Sequence, residues 1–102
     1  MQELIDIIEE EAEIMEPENR SETVTRNALY RAAGKIAKDG PAAVLTPIEK
    51  SAVRFALEDV GELYLFAGSS AGFDVTSKAQ AREHQLRGQK ARTQAATLGI
   101  HL

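Results

Sequence analysis

The sequence predicts an all-α protein: a small irregular bundle of about four helices in one domain, residues 1–102, whose last helix is suited to an extended or partner-docked arm. Three observations carry this expectation. Apolar residues recur at spacings of three and four, and no stretch alternates convincingly as a half-buried strand would. Start and stop signals for helices punctuate the chain at regular distances. The segments between them are short, as between neighbouring helices of a bundle.

The first predicted helix covers 1–16. Met1, Leu4, Ile5, Ile8, Ala12 and Met15 fall on one side, flanked by Ile7 and Ile14, and Glu3, Asp6, Glu9, Glu10, Glu13 and Glu16 take the other. Pro17 forces the exit. The second helix, 20–38, starts at "NRSE", where Asn19 caps and Glu22 can reach back in a capping box. Val24, Ala28, Leu29, Ala32, Ala33 and Ile36 form its apolar side, and Gly40-Pro41 ends it.

The third helix, 46–67, has the clearest start: Thr46 as cap, Pro47 in the first turn and Glu49 in capping-box position. Ile48, Ala52, Phe55, Ala56, Val60, Leu63 and Ala67 repeat along it, with Val53, Leu57 and Tyr64 widening the apolar side, so it is expected at the centre of the core. Gly68 closes it, and "GSSAGFDV" follows as a loop that tucks Phe73 and Val75 against the core. Ser77 and Gln80 open a final basic helix, 77–98, interrupted by Gly88.

At 102 residues the chain is long enough to bury a core of its own. Tyr30, Phe55, Tyr64, Phe66 and Phe73 are its only aromatic residues, so Leu, Ile, Val and Ala must fill that core. There is no cysteine, hence no disulfide, thiolate nucleophile or Cys-based zinc site. No apolar run approaches the ~20 residues of a membrane span. The N-terminus is acidic where a signal peptide would be basic, so a cytoplasmic protein without membrane contact is expected.

The net charge of −4 conceals a polar layout. Residues 1–19 carry −8, residues 20–77 balance seven bases with seven acids, and residues 78–102 carry +4. Catalysis is not expected from this inventory. His84 and His101 are the only imidazoles, and neither has the helical spacing of a metal-ligand pair. Adjacent glutamates on a helix diverge and form a solvated face rather than a metal cage. "GSSAG" lacks the Lys-Ser/Thr ending of a nucleotide-binding loop and follows a helix, so it reads as a helix end and a turn. No cofactor, metal or small-molecule substrate is expected.

Asp59 projects toward the apolar side of the third helix, where a carboxylate needs a partner. An internal ion pair with Arg31 or Lys35 is the expectation. Arg31, Lys35 and Lys38 form a basic ridge on the second helix, suited to the acids of the first.

On the C-terminal helix, Ala81, His84, Gly88, Ala91, Ala95, Leu98 and Leu102 make a stripe of mostly small residues that allows close helix docking. Lys78, Arg82, Arg87, Lys90 and Arg92 spread over the opposite side, with Leu86 exposed among them. Three readings follow. The stripe packs on the protein's own core or on a second copy, with the bases in water or paired to the first helix. The bases, with Arg31, Lys35 and Lys38 as a second contact, meet nucleic acid in a salt-sensitive way. The acidic face binds a basic partner or imitates nucleic-acid phosphates, inhibiting a nucleic-acid enzyme. Against DNA binding, the bases do not focus, aromatic stacking residues are absent here, and "DGPAAVL" exceeds the about three to four residues of a helix-turn-helix connection. The favoured expectation is a non-catalytic interaction or regulatory module, bacterial or phage-like in character, whose partners include a second copy of itself.

Overall fold

A computed structural model describes the backbone of residues 1–70 and 75–101, and their side chains outside 60–81 and 84. It contains four α-helices in chain order: α1 (Gln2–Ile14), α2 (Arg20–Asp39), α3 (Pro47–Ser70) and α4 (Val75–Thr97), with one 3₁₀ turn, Gly40–Ala42. Among the described residues there is no strand. Expectations for Val60, Leu63, Tyr64, Phe66, Ala67, Phe73, Val75, Ser77, Lys78, Gln80, Ala81, His84 and Leu102 fall on side chains outside those described.

Neighbouring helices run antiparallel. The end of α2 meets the start of α3 through Lys35 and Glu49, and the start of α1 meets the end of α4 through Leu4 and Gln94. The ring α1–α2–α3–α4 closes by contact of α4 with α1, and α1 and α3 also touch across it. The last helix is therefore a wall of the bundle, not an arm, because Ala91, Ala95 and Leu98 are buried in the core of its own chain.

The core solves its shortage of aromatics by pairing large with small. Leu4, Ile7 and Ile8 of α1 and Val53 and Leu57 of α3 are buried against Ala28, Ala32 and Ala33 of α2 and Ala91 and Ala95 of α4. Alanine faces let backbones approach, so aliphatic side chains fill the space at native density. Each fully buried Leu or Ile contributes about 1.5–3 kcal/mol.

The helix starts follow the expected chemistry. Asn19 Oδ1 accepts from the Glu22 N–H at 2.9 Å, while the Glu22 carboxylate reaches one residue further than a capping box requires, to the Glu18 N–H at 2.7 Å. At α3 the box is reciprocal: the Glu49 N–H donates to Thr46 Oγ1 at 3.2 Å, and the Thr46 N–H to Glu49 Oε1 at 2.8 Å. Gly40, at φ 57°, ends α2 and donates its N–H to the Ile36 carbonyl.

Four expectations need correction. Val24 and Ile14 are exposed, not core, since α2 buries only the stripe from Ala28 onward and α1 turns Ile7 inward instead. On α3, Ile48 and Phe55 point outward, and the buried stripe is Glu49, Ala52, Val53, Ala56 and Leu57. Ala52, Val53, Ala56 and Leu57 belong to the expected apolar side as well, so the helix is rotated within that side, turning Ile48 and Phe55 out and bringing Glu49 in, where it meets Lys35. Finally, α3 continues through Gly68 to Ser70, shortening the expected loop.

Ile100, not singled out from sequence, is buried. Past α4, Gly99 at φ 81° lets the Ile100 N–H reach the Ala95 carbonyl (3.0 Å) and its own N–H reach Ala96 (3.1 Å), the paired bonds of a Schellman cap. A β-carbon at Gly99 would also stand 3.4 Å from Lys50 Nζ. Gly99→Ala should cost about 1–2 kcal/mol of unfolding free energy through left-handed strain, measurable by urea titration; an unchanged midpoint would mean the cap contributes nothing.

Candidate interaction surfaces

Among the described residues two carboxylates are buried, and neither is Asp59, which is exposed. Glu49 takes the role expected of Asp59. Its Oε1 accepts from Lys35 Nζ at 2.6 Å, and Arg31 Nε stands 3.7 Å from Oε2. The side chain is wholly buried, and Oε2 accepts no hydrogen bond. Burial alone would raise its pKa. The Lys35 ammonium, with the backbone N–H and hydroxyl of Thr46, outweighs that and holds the carboxyl below its ordinary range. Arg31 and Lys35 thus turn to α3, not to the acids of α1, while Lys38 remains exposed.

The second is Glu11 of α1, only 7% exposed. Its carboxyl faces that of Asp59 of α3, close enough for the two to share a proton, so the two diagonal helices meet through a pair of acids. Burial first, then the bond to Asp59 and the charges of Asp59 and Glu10, pushes its pKa up to about 7. Sequence reasoning missed Glu11 because it sits inside a run of glutamates. The available signal was position: Glu11 lies one turn beyond Ile7 and Ile8, beside Ala12, on the buried side.

The opposed charges at the chain ends meet within the bundle. Arg87 of α4 holds Glu10 of α1 at 2.7 Å. Gln94 joins the same seam: its amide donates to Glu3 at 2.7 Å, and its carbonyl oxygen accepts the Leu4 N–H at 3.1 Å. Since α1 has no side-chain cap of its own, Gln94 supplies one from α4. The Gln94 amide donating to Glu3 is the main reason the Glu3 carboxyl is held below its ordinary range.

The remaining candidates distribute around this seam. Glu9, Glu13 and Glu16 are exposed, and Gln2 donates to Asp6 at 2.7 Å. Arg82, Lys90 and Arg92 are exposed, as is His101. Within the small-residue stripe, Ala91, Ala95 and Leu98 are buried and Gly88 is half-buried. No group of three metal-ligating side chains converges among the described residues.

The misassigned face of α3 forms the most conspicuous surface. Ile48 and Phe55, 57% and 55% exposed, join Ala52, Met15 and Thr25 around a groove of about 560 Å³ between α2, α3 and the end of α1. Its far edge is Ser21 and Glu22 at the start of α2.

These features define a class: a small four-helix bundle with an internal acid–base seam and an open apolar groove. No protein-family model, curated protein or solved structure matches the chain. No helix among the described residues is long and apolar enough to cross a membrane.

Proposed function

We propose that this chain is a non-catalytic protein-interaction or regulatory module of the cytoplasm that self-associates through apolar helix faces. One observation carries the reading. Ile48 and Phe55 leave large apolar side chains in water beside a groove that they line together. Contiguous exposed apolar surface of this kind is characteristic of interaction sites. The charge pairing also favours a protein partner over nucleic acid, since Arg87, Lys35 and Arg31 are already engaged with carboxylates of the same chain.

Sedimentation velocity between roughly 1 μM and 1 mM should show a mass that rises with concentration. A monomer throughout would overturn the reading. Removing α1 is not a usable test, because Leu4, Ile7 and Ile8 are core residues and their loss would unfold the bundle. A labelled DNA duplex at about 50 and 200 mM salt provides the counter-test. Binding that weakens at least tenfold over that range would transfer the function to Arg82, Lys90 and Arg92.

A further inference from the structure

Among the exposed apolar side chains of the described residues, those of the groove and Leu86 of α4 have neighbours of opposite charge. The first is the groove of Met15, Ile48 and Phe55. Glu22 is the charged side chain among those lining it, and exposed Glu16 and Glu18, with the base Arg20, lie in the segment between its lining residues Met15 and Ser21. Arg54, next to Phe55 in sequence, is already bonded to Glu58 at 3.1 Å. The groove is therefore apolar with an acidic border.

The second patch is the outer face of α4. Leu86 is 52% exposed there, with exposed Arg82 and Lys90 one turn to either side. Glu83 is the only acid on α4. An apolar anchor between two bases is the complement of an apolar groove with an acidic edge. Within one chain the two cannot meet, because the groove lies between α2 and α3 while α4 stands across the ring from α2.

We infer that Leu86, carried on the basic outer face of α4, docks into the Met15–Ile48–Phe55 groove of a second copy, head to tail. This rests on the self-association proposed above and specifies its surfaces. The contact is heterologous: each copy offers a groove on one flank and an anchor on the other, so association continues as a chain or closes as a ring. Opposite charge orients the encounter and makes it salt-sensitive, while the apolar insertion holds it.

A heterologous contact has a decisive test. Phe55→Glu spoils the groove but keeps the anchor; Leu86→Glu spoils the anchor but keeps the groove. Each variant alone should self-associate at least tenfold more weakly than the parent chain by sedimentation velocity. Mixed in equal amounts they should form a one-to-one dimer that stops there, with affinity restored to the parental level. Far-UV circular dichroism melts establish that both fold, and Ile48→Glu replaces Phe55→Glu if the latter does not.

If the parent chain self-associates but the mixture remains monomeric, or Leu86→Glu associates normally, this docking is wrong and self-association through another face stands. If the parent chain is monomeric throughout, both fail together. A dimer that forms in the mixture and weakens at high salt supports both.

Discussion

Lys35→Ala should lower the unfolding free energy by about 2–3 kcal/mol, because it strips the main counter-charge from a carboxylate with no access to water. The Glu49 carboxylate would keep the Thr46 N–H, and Arg31 at 3.7 Å, but lose its 2.6 Å bond to the ammonium. Lys35 is itself 40% exposed, so the loss falls below that of a fully buried pair. For a chain of this size the melting temperature should fall by roughly 10–20 °C. Arg31→Ala, at the longer distance and 54% exposed, should cost only about 0.5 kcal/mol.

The pH dependence provides a second readout. The folded Glu49 carboxyl titrates below its ordinary value of 4.5. Its stabilisation is present above that value and lost as pH falls through the lowered one. The gap between parent and Lys35→Ala should therefore narrow in acid, measured by urea unfolding at a series of pH values. A gap unchanged down to the acid limit would show that the pair is not the source.

Glu11→Gln should stabilise the protein at alkaline pH, a result opposite to most core substitutions. In the folded chain Glu11 is pushed up to about 7 from an ordinary 4.5. Between those values the folded state binds the proton more tightly, so this group's contribution is full below 4.5 and declines as pH rises through 7. The decline is on the order of 3 kcal/mol. Above 7, two carboxylates with no proton between them face each other across α1 and α3. Glutamine keeps the shape, donates to Asp59 and does not ionise. Parent and variant should unfold alike near pH 5, and the variant should be about 2 kcal/mol more stable near pH 8. Parallel profiles would mean that Glu11 does not hold the proton. With Glu49 losing its contribution on the acid side and Glu11 on the alkaline side, the parent chain should be most stable near pH 5.

Much of this architecture was legible in the chain. Start signals such as Thr46-Pro47-Ile48-Glu49 act through bonds that close within one turn, so local sequence determines them. The same holds for the stop at Gly40 and the exit before Pro17. Apolar periodicity likewise determined that there would be helices and which broad side of α1 and α2 would face inward. The capped turn after α4 was equally readable, since Gly99 followed by apolar Ile100 is its signature, yet its weight appears only once Ile100 is seen in the core.

What periodicity left open was decided by partners distant in sequence. The expected and the observed buried sides of α3 share Ala52, Val53, Ala56 and Leu57, and a helix rotates between them at little local cost. In the observed rotation Glu49 meets Lys35, fourteen positions before it, and Ile48 and Phe55 line the groove. The same limit explains Asp59 and Glu11: helical angle places a carboxylate near the core, but only the packed neighbour decides whether it meets a base or another acid. The charged ends follow this rule too. Composition determined that acid lay at one terminus and base at the other; the antiparallel contact of α1 with α4 brought Glu10 to Arg87 and Glu3 to Gln94. Local sequence sets helices because their bonds span a turn, and tertiary structure sets faces because burial belongs to two helices at once.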